Sequence, residues 1–206
     1  MLGVLAIIGV LSVGGIMGYS KAMHRYRVNK TIEIMSKVFH NFDVITSTKI
    51  VGDEAEFYEP EEMIKLGFID KEDCPIGEEW GGSVSELPIG QSDWAMVFYA
   101  TPQNDYGNPN KFNGEFVLNF TGANKVEQCI DFVSHDWLSI IPRKWWIPEG
   151  SISIYTPDGV TYIYDYSGNY GLTADTKPTL EQIVDACGKC EGKDQCRLYV
   201  VFAGEL

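Results

Sequence analysis

The amino-acid sequence predicts an α+β protein in which a long N-terminal α-helix carries a globular head with a mostly antiparallel β-sheet. The first 59 residues contain no proline, and apolar side chains recur there at helical spacing, which predicts one uninterrupted helix. The rest of the chain has short runs of Val, Ile and aromatic residues between turn residues, without regular strand–helix–strand alternation. We divide the 206 residues into the helix, residues 1–50, and the head, residues 51–206.

The predicted helix has two unlike halves. Residues 1–20 contain no charged side chain, and a helix of about 20 residues spans roughly 30 Å, the hydrocarbon thickness of a bilayer. In residues 21–50, Ile32, Met35, Phe39 and Phe42 follow one another at spacings of three or four, which predicts an apolar face that docks on the head. We expect the helix to end near residue 48, about 70 Å from its start.

Charge divides the chain a second time. The first 30 residues hold four basic and no acidic side chains, so the total charge of −13 leaves −17 on the other 176 residues. Such an acidic protein is not expected to bind nucleic acid. The apolar segment has three interpretations: a cleaved signal peptide, a permanent single-pass anchor, or a helix that leaves the membrane to pack against copies of itself. For a permanent anchor, the basic residues Lys21, Arg25, Arg27 and Lys30 would place the head in the cytoplasm.

Five glycines lie in the apolar half: Gly3, Gly9, Gly14, Gly15 and Gly18. One interpretation is close helix–helix packing. The other is local unwinding, because each glycine lowers helix stability relative to alanine. For unwinding we single out Gly14, Gly15 and Gly18.

In the head, strands are expected at residues 94–99, 115–120, 151–155, 160–166 and 197–202. Thr156-Pro-Asp-Gly159 predicts the turn of a hairpin between two of them. Helical patches are expected at residues 124–140 and 179–187, the second beginning at Thr179.

The acidic segment of residues 53–79 holds eleven acidic and two basic residues. We interpret it as a solvated loop with a short helix near residues 61–66, with a calcium site as the alternative. The same alternative applies to Asn104-Asp-Tyr-Gly-Asn-Pro-Asn110, which lacks full EF-hand spacing and is interpreted as a turn.

The sequence offers little for catalysis. It contains no Gly-Lys-Ser/Thr loop, GxSxG elbow or HExxH motif. Cys129 and His135 are six residues apart, which places them on different faces of a helix. Trp137, Trp145 and Trp146 are attributed to core packing and subunit contact rather than to a sugar or DNA site. We expect no enzyme activity, no cofactor and no bound metal.

Several segments together resemble one known family. The run Met1-Leu-Gly-Val-Leu-Ala-Ile-Ile-Gly-Val-Leu-Ser-Val-Gly-Gly-Ile-Met-Gly-Tyr-Ser-Lys-Ala-Met23 is similar to the N-terminal helix of type IV pilins and pseudopilins, and more narrowly to the larger type IVb-like subunits. Looser similarities are Met63-Ile-Lys-Leu-Gly-Phe-Ile69, Glu79-Trp-Gly-Gly-Ser-Val84, Phe116-Val-Leu-Asn-Phe120 with Glu127-Gln-Cys129 and His135-Asp-Trp137, and the C-terminal cysteine region.

In that family a basic leader is removed by a prepilin peptidase, and a pattern like Phe-Thr-Leu-Ile-Glu precedes the apolar run. The printed sequence contains neither, so no processing site or assembly glutamate is carried over to a residue of this chain. In the family the leader supplies the cytoplasmic positive charge, which implies a periplasmic head before assembly.

The resemblance implies the pilin fold and a structural function. The protein would polymerise into a type IV pilus filament, a fimbrium on the bacterial surface. Its partners would be copies of itself, the inner membrane before assembly, the pilus assembly machinery and the prepilin peptidase. A minor pilin or secretion-system pseudopilin is one alternative, and a membrane-anchored extracytoplasmic binding domain is another. Packing in the filament core would fall to the apolar residues Leu2, Val4, Leu5, Ile7, Ile8, Val10, Leu11, Val13 and Ile16.

The five cysteines are Cys74, Cys129, Cys187, Cys190 and Cys196. Cys187 and Cys190 form a C-x2-C pair, for which zinc binding or redox activity are alternatives. In an exported domain disulfides are the default. We expect Cys129 to pair with one cysteine of the C-terminal cluster. We also expect a second, short bridge within that cluster and a free thiol at Cys74. The sequence leaves open which cysteine of the cluster pairs with Cys129.

Overall fold

The computed structural model describes ten segments of the chain, and side chains in parts of them. The described segments are residues 2–48, 56–58, 60–73, 76–79, 82–92, 97–103, 109–143, 145–147, 152–163 and 177–205. Side chains are described for residues 18–44, 61–73, 87–89, 114, 116–143, 147, 152–163 and 177–204.

Helix α1 runs from Leu2 to Thr48 as one element of 47 residues, which confirms the predicted long helix. At 1.5 Å per residue this length corresponds to about 70 Å. Within residues 18–44 one face is buried and the opposite face is exposed, because apolar residues recur every three or four positions.

Within the described segments the sheet contains ten strands, and every pairing between them is antiparallel. In chain order they are β1 Glu56–Tyr58, β2 Ile76–Glu79, β3 Gly82–Leu87, β4 Gly90–Ser92, β5 Val97–Gln103, β6 Pro109–Asn119, β7 Trp145–Trp146, β8 Ile152–Thr156, β9 Gly159–Tyr162 and β10 Arg197–Glu205. The long strands β6 and β10 form the centre, paired from Arg197 opposite Asn119 to Glu205 opposite Lys111. Strands β4 and β5 flank β6, and β7 and β8 flank β10.

Five of these strands lie where the sequence predicted strands, with shifted ends: β5, β6, β8, β9 and β10. The hairpin at Thr156-Pro-Asp-Gly159 is confirmed, since Thr156 pairs with Gly159, whose φ is 138°. Strands β1 to β4 and β7 were not predicted. They are two to six residues long, and their composition lacks a strong strand preference apart from the two tryptophans.

The described residues also form the helices α2 Pro60–Lys65, α3 Lys125–Val133 and α4 Leu180–Gly188. The short helix in the acidic segment is therefore confirmed. Helix α4 begins at a capping box, in which the Thr179 hydroxyl accepts from the Gln182 amide and the Gln182 side chain accepts from the Thr179 amide.

The prediction of one helical patch over residues 124–140 was wrong. Helix α3 ends at Val133, and a separate 3-10 turn covers Trp137–Ser139. The break allows Trp137 to reach the core, where its indole N–H donates to the Phe132 carbonyl at 3.2 Å. Satisfying that donor offsets the cost of burying a tryptophan.

Helices and sheet enclose one apolar core. Phe202 of β10 stacks against Phe116 of β6 with ring centroids 5.6 Å apart, and Phe39 of α1 approaches Phe202 to 4.7 Å. Phe132 of α3 and Trp137 also contact Phe116. Helices α1 and α3 therefore cover the same face of the central strands.

Candidate functional site

The sequence suggests that α1 and the residues around it form the functional region. In the half of α1 whose side chains are described, one face packs against the head, and we call it the docked face. The docked face consists of residues that are at most 6% exposed and recur at helical spacing: Val28, Ile32, Met35, Phe39 and Phe42. Phe42 meets Phe68, which follows α2, at a centroid distance of 5.7 Å. These contacts hold the second half of α1 on the head by burying apolar area.

Two polar contacts fix the position of α1 along the head. The Asn41 amide donates to the carbonyls of Phe68 at 3.0 Å and Gly67 at 3.3 Å. The Thr31 hydroxyl, fully buried, donates to the Arg27 carbonyl and accepts from the Ile89 amide at 3.1 Å. Hydrogen bonds depend on distance and angle, so they specify a register that apolar packing leaves looser.

Part of the acidic segment neutralises lysines of α1. Lys37 forms a hydrogen-bonded ion pair with Asp70 and lies 3.7 Å from a carboxylate oxygen of Asp73. Lys30 contacts Glu33 at 3.3 Å and Asp73 at 3.5 Å. Hydrogen bonding to Asp70 raises the pKa of Lys37, and hydrogen bonding to Glu33, with Asp73, raises the pKa of Lys30.

The opposite side of α1 is an outer face of exposed side chains. It consists of exposed residues at spacings of three and four: Tyr19, Ala22, Tyr26, Asn29, Glu33, Lys37, His40 and Val44. Tyr19 and Tyr26 are 69% and 60% exposed, which is unusual for aromatic side chains. The exposed bases Lys21, Arg25 and Arg27 lie beside them.

An open groove of about 580 Å³ runs along α1 next to the 3-10 turn. Its lining includes Ile32 and His40 of α1 together with His135 and Ile140. Burial lowers the pKa of His135, so this imidazole is neutral at pH 7. Ser36 and Lys37 of α1 also line the groove.

The structure contains two disulfides, Cys129–Cys187 and Cys190–Cys196. The predicted long bridge from Cys129 and the predicted short bridge within the cluster are both confirmed. The first joins α3 to α4, and the second closes the loop before β10. Because Cys187 and Cys190 pair with different partners, they form neither a redox dithiol nor a zinc pair, and Cys129 is not available to His135 as a nucleophile.

Several predictions fall on residues outside the described part of the chain. The side chains assigned to filament-core packing, from Leu2 to Ile16, lie outside it, as do the surroundings of Gly14 and Gly15, two of the three glycines singled out for local unwinding. Cys74, most of residues 104–110 and residues 53–55 also lie outside. Gly18 is described, and a Cβ built there would meet nothing within 4 Å.

In the part of the chain that the structure describes in full, no helix is both long enough and apolar enough to cross a membrane.

One potential cation-binding group occurs in the described part of the chain: His24 of α1 with Glu127 and Asp131 of α3. Sequence reasoning missed this group because its members are about 100 residues apart. The ion pair between Lys37 and Asp70 was missed as well, because its partners are 33 residues apart and the acidic segment was interpreted as a solvated loop.

Comparisons with protein families, with curated proteins and with solved structures returned no match for this chain.

Proposed function

We propose that this protein is the structural subunit of a filament of the type IV pilus kind, and that it polymerises through α1. The observation that carries the proposal is that α1, a single helix of 47 residues, has two halves of different character. Its second half docks on the head through one apolar face, whereas the sequence of its first half, residues 1–20, contains no charged residue. In a polymer this apolar extension would pack against other copies of the helix.

The driving force would be the burial of that extension. Apolar side chains of residues 1–20 are kept from water by lipid before assembly and by other copies of the helix afterwards. Each subunit would contact the next through two different surfaces. Such a heterologous contact does not close into a ring, so it produces a fibre.

The described surface of α1 is suited to contact with other subunits. The outer face includes Tyr19 and Tyr26, whose rings are largely exposed. Aromatic and arginine side chains are enriched in the energetically important parts of protein interfaces. The basic residues beside them would meet the acidic heads of neighbouring copies.

In this proposal the protein is not an enzyme and does not bind nucleic acid. The apolar helix holds it in the inner membrane with a periplasmic head until the assembly machinery extracts it. The mature location is the extracellular filament. The prepilin peptidase remains the partner that the family resemblance implies.

The decisive experiment is electron microscopy of the sheared cell-surface fraction, with mass spectrometry to identify the chain. We expect filaments composed mainly of this protein. A matched pair of variants tests the mechanism: Leu11→Lys places a charge in the apolar half, and Leu11→Met preserves its hydrophobicity. The lysine variant should abolish filaments and the methionine variant should retain them.

The other outcomes separate the alternatives. A chain that is present in short or rare assemblies, and absent from bulk filaments, would indicate a minor pilin or a pseudopilin. A chain that stays in the membrane fraction while no fibre contains it would indicate a permanently anchored binding domain, and the filament proposal would fail.

A further inference from the structure

We propose that His24, Glu127 and Asp131 bind a divalent first-row metal ion, with Zn²⁺ as the best fit, and that the ion clamps α1 to α3. This inference does not rest on filament formation. The three side chains each offer one ligand atom, and these atoms all lie within 4.8 Å of one another. The His24 Nε2 atom lies 2.9 Å from the Asp131 carboxylate.

The two carboxylates occupy an unfavourable position without a cation. Glu127 and Asp131 are four residues apart on α3, so they lie on one helix face one turn apart. Like charges at this spacing destabilise a helix. One histidine carries at most a single positive charge, which balances only one of the carboxylates. A divalent ion would balance both.

The histidine is held toward the carboxylates by the packing of α1. Its side chain is only 9% exposed, whereas that of Asp131 is 42% exposed. A buried imidazole beside a more accessible carboxylate provides one fixed ligand and a path for the ion to enter. Val28, one turn further along α1, is buried against the head and restricts the helix from moving away.

The donor set favours zinc over calcium. Zinc is bound by imidazole nitrogen and carboxylate oxygen, and three protein ligands with one water complete a tetrahedral site. At ligand distances near 2.1 Å, the ligand atoms lie roughly 3.4 Å apart, which small side-chain rotations would reach from the observed spacing. Calcium prefers six to eight oxygen ligands. Zinc binds an imidazole nitrogen that carries no proton, so the ion would displace any proton on His24 Nε2.

The test is zinc titration of the full chain in detergent micelles by calorimetry, together with its melting temperature with and without zinc chloride. A Cys74→Ser background removes the cysteine that lies outside the two disulfides as a competing ligand. We expect one zinc ion per chain and a melting temperature that rises with zinc. His24→Gln and Glu127→Gln should each weaken binding by at least about tenfold.

Glu127→Gln also distinguishes the metal site from a simple His24–Asp131 ion pair. In zinc-free buffer it relieves the repulsion between the carboxylates, so the protein should be at least as stable as the parent chain and remain folded for the titration. His40→Gln changes an exposed histidine elsewhere on α1 and should leave zinc binding unchanged. The absence of zinc binding, zinc binding that survives both ligand substitutions, or a response to calcium chloride alone would overturn the proposal.

Discussion

Lys37 shows how single residues attach α1 to the head. It pairs with Asp70 and approaches Asp73, two carboxylates of the segment that follows α2. Both partners are solvent-accessible, and exposed ion pairs contribute little to stability. These ion pairs instead fix a position, because together with Asn41 they hold the segment after α2 against one part of α1.

We predict that this contact makes the free energy of unfolding depend on pH in the alkaline range. The pKa of Lys37 is raised in the folded state by its hydrogen bond to Asp70. A raised pKa means that the stabilisation is fully present below the ordinary lysine pKa of about 10.4, and is lost as the pH rises through the folded value. Lys37→Met should therefore lower the free energy of unfolding slightly at pH 7, and the difference from wild type should shrink above pH 10.4.

Denaturant unfolding at pH 7 and at pH 11 measures that difference. Lys71→Met, in the same segment as Asp70 and Asp73, provides the control and should behave like wild type. A difference that is equal at the two pH values would mean that Lys37 acts through packing of its aliphatic chain rather than through its charge.

At the scale of elements, the docked face of α1 and the two disulfides hold the layers together. The face supplies apolar contact along more than three helical turns, from Val28 to Phe42. Cys129–Cys187 joins α3 to α4, and Cys190–Cys196 holds the loop that leads into β10. The helices pack through their apolar residues, whereas the bridges reduce the freedom of the unfolded chain.

We predict that Phe39→Ala destabilises the folded protein by about 3–5 kcal/mol, because it removes a fully buried ring that contacts Phe202. Val184→Ala, at a position on α4 that is 46% exposed, should change stability by less than about 0.5 kcal/mol. Chemical denaturation monitored by tryptophan fluorescence compares the two. Equal effects would show that α1 does not pack on the sheet as described.

The two disulfides should contribute unequally. Cys129 and Cys187 are separated by 58 residues, and Cys190 and Cys196 by six. Chain-entropy arguments give about 4 kcal/mol for the longer loop and about 2 kcal/mol for the shorter one. The paired substitutions Cys129→Ala with Cys187→Ala should therefore cost more stability than Cys190→Ala with Cys196→Ala. The reverse order in denaturant midpoints would contradict an entropic origin.

The whole molecule combines a basic collar on α1 with an acidic head. Residues 1–30 carry a charge of +4, and the remainder carries −17. Within the collar, Lys21, Arg25 and Arg27 are exposed, while Lys30 is engaged by Glu33 and Asp73. In a filament, opposite charges on neighbouring copies would steer their association and set its register.

We predict that Arg25→Glu combined with Arg27→Glu reduces the yield of filaments several-fold without unfolding the head. The charge reversal turns attraction toward neighbouring acidic heads into repulsion. The amount of sheared filament measures assembly, and the melting temperature and both disulfides report on the head. Arg25→Lys with Arg27→Lys keeps the charge and serves as control. Normal filament yield in the glutamate variant would exclude the collar as a subunit contact.

The long helix and the broad class were predictable from the sequence because both rest on local patterns. A period of 3.6 residues without proline indicates a helix, and Thr156-Pro-Asp-Gly159 contains its own turn. The same local reasoning failed over residues 124–140. The pattern there is helical throughout, but burial of Trp137 favours a break after Val133.

Short strands and the surroundings of α1 were decided only by tertiary structure. Strands β1 to β4 and β7 are too short to be recognised individually, and they exist because neighbouring strands satisfy their backbone groups.

The sequence by itself determined the long α1 helix, the five strands rich in Val, Ile and aromatic residues, and the expectation of disulfides among the C-terminal cysteines. The tertiary structure decided that Cys129 pairs with Cys187, that Lys37 meets Asp70, and that His24 lies beside Glu127 and Asp131. The physical reason is the range of the interactions. Backbone preferences act over a few residues, whereas these contacts join residues 33 to 107 positions apart and exist only once distant segments of the chain have packed together.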